Sequence, residues 1–387
     1  MSQDKSQAYA DFNAVFRNAS EVSRKILDGA KLLTDTRDDE VEIATAEKDE
    51  IWRSDKVVLY RYRPIGERKL KQPLLIVFSL VGTYRIVDLQ EDRSLVRNLL
   101  RSGVSVYVID WGSPSRADRF LGMYDYIEDY LAGAMEAVKQ NEGGERVNVL
   151  GICEGGTFSL CYAALHPEDL QNLVLIVTPI DFHAEDASPR LGHGFINIWT
   201  RSITPEDVDR LLEAHGNLPG EFMGSIFASM TPMRTMLKYN LDLAEVAADK
   251  QKLLNFLRME KWLADRPHHP GEVARQWIKD LYQDNKLVSG QLQLGPNRVD
   301  LSKVSMPVLN IFANDDHIVP PAMTRNVGGH FATKDYTEVA LPAGHMGVFV
   351  SGKTQGILGE QIVKWLLERQ QPASKARISS PARSEGA

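Results

Sequence analysis

An apolar strand that runs into a Gly-x-Cys-x-Gly turn and then a helix is the feature that most restricts this fold. The strand covers Val147 to Ile152, the turn is centred on Cys153, and a helix-like segment follows from Thr157 to Leu165. Such a turn presents a nucleophilic side chain at the end of a central strand, where many enzymes carry a serine. The sequence therefore predicts an α/β protein with a cysteine nucleophile.

Short apolar runs that alternate with helical segments predict a mostly parallel sheet with helices on both faces. An edge strand is expected at Val57 to Tyr62. Further strands are expected at 73–78, 104–109, 147–152, 173–177, 307–312 and 336–341, and helices at, for example, 92–100 and 123–139. From residue 181 to residue 299 the pattern is helical instead, which predicts a cap inserted over one edge of the sheet.

These patterns divide the chain into four predicted parts. Residues 1–50 form a helical arm, which either packs on the body or docks another protein. Residues 51–180 and 300–370 form the α/β core, and 181–299 form the cap. Methionines are frequent in the cap, where they fill the core or line a ligand surface: Met223, Met230, Met233 and Met236. Residues 371–387 are rich in Ser, Ala, Pro and Arg and are expected to be disordered.

Charge and cysteine content narrow the class of protein. The net charge of −7 argues against nucleic acid as a partner, and no apolar run is long enough to span a bilayer. The first residues are polar and lack an apolar signal core, so a cytoplasmic location is expected. Of the two cysteines, Cys161 is expected to be a small buried residue, and no disulfide is expected.

A nucleophile, an acid and a histidine follow predicted strands in the chain order that a catalytic triad of this fold requires. They are Cys153, Asp316 and His345. Asp315 and Asp181 compete with Asp316 for the role of the acid. Because the carboxyl ends of parallel strands meet at one edge of a sheet, we expect the three side chains to converge there.

Other polar residues receive lesser roles. His317 is expected either to support the site or to be a structural residue, and the adjacent His268 and His269 are expected to be solvated in a Pro-flanked loop. No cluster resembles a metal site, and no cofactor is expected. The backbone N–H groups of Glu154 and of Val81, in the loop 80–82, are the candidate oxyanion donors.

Thiol chemistry points to a substrate class. The thiolate is the attacking form of cysteine, and a histidine oriented by a carboxylate can remove its proton. A thiolate exchanges readily with a thioester such as an acyl-CoA, and the product remains an activated thioester. Water as the second nucleophile makes a hydrolase, whereas a hydroxyl makes an acyltransferase or a polymerase.

The chain resembles the catalytic subunit of polyhydroxyalkanoate synthases of the short, two-component class III type, within the α/β-hydrolase superfamily. The resemblance covers roughly residues 51–368. It rests on these segments: Val87 to Leu95, Tyr107 to Gly112, Gly151 to Gly156, Lys238-Tyr239-Asn240, Glu260-Lys261-Trp262, Lys279 to Leu287, Met306 to Ile311, Asp316 to Pro321 and Gly344-His345.

The resemblance implies polymerisation of (R)-3-hydroxyacyl-CoA into a polyester with release of CoA. It implies Cys153 as the nucleophile, Asp316 as the acid and His345 as the base. It also implies the growing polyester chain and a second synthase subunit as partners, a homo- or hetero-oligomer, and a place at the surface of polymer granules in the cytoplasm. CoA is the leaving group of the substrate rather than a cofactor.

Two segments depart from the family pattern. Glu154 stands where the family usually has Gln, and Gly82-Thr83-Tyr84-Arg85 replaces a segment resembling Asn-Arg-Pro-Tyr. Two alternatives to the polymerase are a cysteine-dependent thioesterase or esterase that acts on hydroxyacyl esters and a non-catalytic granule-binding scaffold.

Overall fold

The central sheet places its parallel strands so that their carboxyl ends share one edge. The computed structural model describes residues 31, 32, 34–185, 194–230 and 249–370. Within them, the eight strands of this sheet are β1 (Lys48–Ser54), β2 (Val57–Tyr62), β3 (Leu74–Val77), β4 (Val106–Asp110), β5 (Val147–Ile152), β6 (Leu170–Ile176), β7 (Val308–Ala313) and β8 (Tyr336–Leu341). Their order across the sheet is β1-β2-β4-β3-β5-β6-β7-β8.

Strand direction changes only at one side of the sheet. β2 is antiparallel to both β1 and β4. The remaining neighbours, from β4 through β3 and β5 to β8, are parallel. The predicted, mostly parallel sheet is confirmed, and β5, which leads to Cys153, is flanked by strands on both sides.

The edge strand is β1 rather than β2, so the prediction of an edge strand at Val57–Tyr62 is wrong. β1 begins at Lys48, two residues before the predicted end of the helical arm. Its side chains are exposed or half-buried throughout. The sequence of β1 therefore lacks the alternation of apolar and polar residues that predicts a strand. The backbone of Ala46, just before β1, is fixed to the body because its N–H donates to Asp88 Oδ2 at 2.8 Å.

Helices cover both faces of the sheet. Among them are α1 (Leu95–Arg101), α2 (Ala132–Glu142), α3 (Glu154–Leu165), α9 (Gly347–Val350) and α10 (Gln355–Glu368). α1 begins three residues later than predicted because Asp88–Gln90 and Arg93–Ser94 form a short hairpin, after which Ser94 caps the helix. A π-helical segment, Asp125–Leu131, leads into α2.

Two apolar layers form the core, one on each face of the sheet. One layer joins the strands to α2 and α3, and the other joins them to α1 and α10. Cys153 packs against both layers because it follows the central strand β5.

The described part of the predicted cap is helical. It contains α4 (Phe195–Ser202), α5 (Pro205–His215), α6 (Gly220–Ser229), α7 (Lys250–Ala264) and α8 (Gly271–Gln276), and α8 continues into a π-helical segment at Trp277–Gln283. The last part, which includes the two-stranded pair Gln293–Leu294 and Asn297–Arg298, packs on the body, as Val273, Leu281 and Tyr282 do. Its apolar residues belong to the core layer that contains α3: Leu287, Leu292, Leu294 and Val299.

Short 3-10 turns complete the described elements: Asp38–Val41, Tyr84–Val87, Arg116–Phe120, Pro167–Asp169, Leu301–Lys303, Pro321–Met323 and Val327–His330. Several predictions lie outside the described residues, namely residues 1–30 of the arm, the tail 371–387, the segment Lys238-Tyr239-Asn240, Met233 and Met236. Within the described ranges, no helix has the length and apolar composition that crossing a membrane requires.

Candidate active site

Cys153 occupies a sharp turn between β5 and α3. Its φ of +53° and ψ of −125° lie in a region that L-residues rarely adopt. Its N–H donates to the carbonyl oxygen of Ile176 in β6 at 2.9 Å, which anchors the turn to the sheet. Backbone conformations of this kind persist only where the surrounding structure holds them, and they concentrate at functional sites.

Two glycines allow α3 to approach the sheet closely enough to make this turn. A Cβ atom on Gly155 would lie 2.4 Å from the carbonyl oxygen of Val77, and one on Gly156 would lie 1.9 Å from Thr178 Oγ1. Both distances are too short for any side chain. The glycines of the motif are therefore required by packing, and they bring the end of β3 close to Cys153.

Asp316 and His345 follow β7 and β8, and the structure brings them together. His345 Nδ1 lies 2.7 Å from Asp316 Oδ2, and the two residues are only 6% and 1% exposed. The other carboxylate oxygen, Oδ1, accepts the N–H groups of Ile318 and Val319 at 2.9 Å each. An ionised carboxylate only accepts hydrogen bonds, so Nδ1 carries a proton and Nε2 is left to interact with Cys153.

The charges around His345 control its protonation. Burial lowers the pKa of the imidazole, but the negative charges of Asp316 and Cys153, together with hydrogen bonds to both, outweigh it and raise the pKa to about 10. The raised pKa makes His345 a strong base, which suits it to take a proton from the adjacent thiol.

The competing acids are used elsewhere. Asp315 is exposed to solvent. Asp181 Oδ1 accepts the N–H groups of His183 and Ala184 at 3.1 Å each and a hydrogen bond from Asn285 Nδ2 at 2.8 Å. Asp181 thus stabilises its own loop, and Asp316 is the carboxylate that contacts His345.

The prediction that His268 and His269 are both solvated is wrong for His269. His268 is exposed, and its Nδ1 accepts the N–H of Gly220 at 3.2 Å. His269 is only 3% exposed, and its Nε2 lies 2.6 Å from Oε1 of Glu154, which is 1% exposed. A carboxylate at the buried start of α3 needs a partner. The requirement of Glu154 for a hydrogen-bond partner is the one signal in the sequence that could have predicted its contact with His269.

The candidate oxyanion donors differ in their present partners. Glu154 is the first residue of α3, where backbone N–H groups have no acceptor within the helix. The N–H of Val81 donates to Ser79 Oγ at 3.0 Å. The neighbouring N–H of Leu80 donates to Glu154 Oε2 at 2.9 Å, and Ser79 Oγ lies 3.1 Å from the same oxygen.

A cavity of about 200 Å³ lies between the core and the cap. Cys153 and His345 line it from the core, and aromatic and aliphatic side chains from both core and cap make up most of the remainder, among them Phe78, Trp199, Met223, Phe227, Trp262 and Trp277. Such a lining suits an apolar ligand whose reacting group meets the sulfur. In the described ranges, no group of three or more His, Cys, Asp or Glu side chains is placed to hold a metal ion.

Comparison with solved structures supports the fold. A structure described as a putative lipase from Sulfolobus solfataricus superimposes with a TM-score of 0.55, covering 83% of this chain and 93% of that chain at 16% identity. Residues 72–351 also match the family described as "alpha/beta hydrolase fold". The predicted α/β-hydrolase fold is thereby confirmed.

The relatives found by sequence indicate a narrower family than the fold comparison does. Proteins named "Poly(3-hydroxyalkanoate) polymerase subunit PhaC" from Synechocystis sp. and Allochromatium vinosum are each 42% identical to this chain over 349 residues. The matches cover 90% of this chain and 91% and 95% of those relatives. Residues 23–99 match the family "Poly-beta-hydroxybutyrate polymerase (PhaC) N-terminus". The resemblance found in the sequence is confirmed, and the chain belongs to the family of poly(3-hydroxyalkanoate) polymerase subunits with the α/β-hydrolase fold.

Proposed function

We propose that this chain is the catalytic subunit of a polyhydroxyalkanoate synthase, an acyltransferase that polymerises (R)-3-hydroxyacyl-CoA and releases CoA. The observation that carries the proposal is the buried pair of Asp316 and His345 next to Cys153 in an apolar cavity, in a member of the polymerase family. An apolar cavity fits an acyl group or a polyester chain, and the thiol fits a thioester substrate.

In the first step, His345 takes the proton of the Cys153 thiol, and the sulfur attacks the carbonyl carbon of the acyl-CoA. The new carbon–sulfur bond forms as the bond to CoA breaks, and the imidazolium returns its proton to the departing CoA thiolate. Asp316 holds the ring in the required tautomer through Nδ1. The product is a thioester between the acyl group and Cys153.

The carbonyl oxygen becomes negatively charged in the tetrahedral intermediate. We assign its stabilisation to the N–H groups of Glu154 and Val81. A charged oxygen is a stronger acceptor than a hydroxyl, so it would replace Ser79 Oγ as the partner of the Val81 N–H.

In the second step, the 3-hydroxyl of another hydroxyacyl unit attacks the acyl-enzyme. Its proton passes to Asp316 or His345, an ester bond forms, and the thioester bond to Cys153 breaks. The departing sulfur takes up the proton, which restores the Cys153 thiol, and the chain is longer by one unit. Because the relatives are named as subunits, we also propose that a second subunit joins this chain and that the complex works at the surface of cytoplasmic polymer granules.

The test is incubation with 3-hydroxybutyryl-CoA, with and without a co-expressed partner, while free CoA thiol and insoluble product are followed. Release of CoA with polymer supports the proposal, and free hydroxyacid without polymer indicates a hydrolase instead. Cys153→Ala should abolish both products, whereas Cys161→Ala, a matched change of the other cysteine, should retain them. Turnover by Cys153→Ala would refute the assignment, and absence of thioester cleavage under all conditions would favour a scaffold.

A further inference from the structure

The cap touches the loop that follows β3 through direct contacts near the end of α7. This loop covers residues 79–85 and is called the β3 loop below. Trp262 Nε1 donates to the carbonyl oxygen of Thr83 at 2.9 Å. Arg85 and Asp265 form an ion pair at 2.6 Å. The β3 loop carries Val81, the second candidate oxyanion donor. Because of these contacts, the position of the Val81 N–H depends on the cap.

A third contact reaches the same loop through the residue next to the nucleophile. Oε2 of Glu154 accepts the N–H of Leu80 at 2.9 Å and the hydroxyl of Ser79 at 3.1 Å. Ser79 Oγ in turn accepts the N–H of Val81 at 3.0 Å. The Glu154 side chain therefore orders three successive residues of the β3 loop. Its other oxygen, Oε1, lies 2.6 Å from Nε2 of His269 in the cap.

His269 is itself held rigidly. Its backbone N–H and carbonyl both bond to Leu218, at 2.9 Å in each direction. Nearby, a Cβ atom on Gly271 would lie 2.0 Å from the carbonyl oxygen of Gly216, so two backbone segments of the cap pack closely here.

Each oxygen of Glu154 has its own hydrogen-bond partners. Oε2 accepts the N–H of Leu80 and the hydroxyl of Ser79, so Oε1 is the oxygen left to share a hydrogen bond with His269 Nε2. His269 Nδ1 is buried and has no hydrogen-bond partner among the described residues. Oε1 of Glu154 thus depends on a partner that comes from the cap, and removal of the imidazole leaves this buried oxygen without that hydrogen bond.

We propose that His269 and Glu154 are positioning residues that make the geometry of the β3 loop depend on the cap. When the cap is seated, His269 fixes the carboxylate, the carboxylate fixes Ser79 and Leu80, and Val81 is presented toward the thioester carbonyl. The inference deepens the proposed polymerase function and rests on it for its catalytic consequence, whereas the loop geometry can be tested without any activity.

The first test is hydrogen–deuterium exchange of a peptide that covers residues 79–82. His269→Ala should raise amide exchange there about tenfold, because the acceptor of the Leu80 N–H loses its own partner. His269→Gln, which places an amide N–H near the position of Nε2, should restore most of the protection. Unchanged exchange in His269→Ala would overturn the proposal, whatever the activity of the protein.

His166→Ala is a matched control. His166 Nε2 also contacts a glutamate, Glu128, at 3.0 Å, but His166 does not line the cavity. This variant should leave exchange at 79–82 and CoA release unchanged. A rise in exchange equal to that of His269→Ala would show a general loosening of the protein and would overturn the proposal.

The second test separates positioning from general damage to the nucleophile. His269→Ala should lower kcat for CoA release roughly 10–100-fold, with KM within about twofold, because misplaced oxyanion donors act on the transition state. Alkylation of Cys153 by iodoacetamide needs the thiolate but no oxyanion hole, so its rate should stay unchanged. An equal loss in both rates would overturn the proposal. Wild-type protein that releases no CoA would instead refute the proposed function, while the exchange experiment would still decide the role of the pair.

Discussion

Asp316 binds His345 with one carboxylate oxygen, at 2.7 Å from Nδ1, while its other oxygen is saturated by two backbone N–H groups. Burial lowers the pKa of His345, and the charges of Asp316 and Cys153 outweigh it and raise the pKa to about 10. Asp316→Asn removes one of these charges, so the imidazolium should deprotonate at lower pH. We expect kcat to fall by about 10³–10⁴-fold.

The pH profile of CoA release checks the direction of this effect. Because the pKa of His345 is raised, the wild-type profile should lose activity on its alkaline side only near pH 10. In Asp316→Asn this alkaline limb should move to lower pH. A variant with lower activity but an unmoved alkaline limb would mean that Asp316 does not control the protonation of His345.

The two cysteines should differ in reactivity. Cys161 is fully buried, and burial raises the pKa of its thiol to about 12, so it presents almost no thiolate at pH 8. Native protein treated with iodoacetamide should therefore carry a label on Cys153 alone, as read by peptide mass spectrometry. The Cys153→Ala variant should take up no label until it is denatured. Labelling of Cys161 in the native protein would contradict this expectation.

Gly156→Ala should damage both stability and activity. The added methyl group would meet Thr178 Oγ1 at 1.9 Å, so either α3 or the loop after β6 must shift. We expect the free energy of unfolding in urea to fall by about 3 kcal/mol and CoA release to be lost. Gly144→Ala is the control, because a Cβ atom there has no neighbour within 4 Å. That change should alter stability by no more than about 0.5 kcal/mol.

Glu142 at the end of α2 should stabilise the fold in a pH-dependent way. Burial raises the pKa of its carboxyl group, but hydrogen bonds from Tyr107 at 2.6 Å, from Arg68 and from Ser105 at 2.9 Å outweigh it and lower the pKa below 4.5. A lowered pKa in the folded state gives stability that is present above the unfolded pKa and is lost as the pH falls through the folded pKa.

Glu142→Gln should therefore lower the free energy of unfolding by about 1.5–3 kcal/mol at pH 7. Urea unfolding at a series of pH values should show the difference from wild type shrinking below about pH 4.5. A difference that is the same at pH 7 and in acid would assign the effect to packing rather than to charge.

The sequence was sufficient to predict the fold class and the convergence of Cys153, Asp316 and His345 on one edge of the sheet. Chain order and the position of each residue after an apolar strand limit the possible arrangements strongly. Among three candidate acids, the hydrogen bond to His345 distinguishes Asp316, and that contact joins residues 29 positions apart.

Two features were not predictable from local pattern. β1 carries polar and half-buried side chains, so its strand character comes from backbone pairing with β2 rather than from hydrophobic alternation. The burial of His269 arises from Glu154, which lies 115 positions earlier in the chain. Neither residue's neighbours in the sequence reveal that partner.

The segment after the π-helical turn at Trp277–Gln283 has a consequence for protein engineering. Leu287, Leu292, Leu294 and Val299 pack in the same apolar layer as α3, although they precede β7 together with the cap helices. In a chimaera that carries the cap of a relative, the exchanged segment should therefore end before Leu287. A junction placed at residue 300 would also replace these four core residues. Misfolding of that chimaera would therefore not show that the two caps are incompatible.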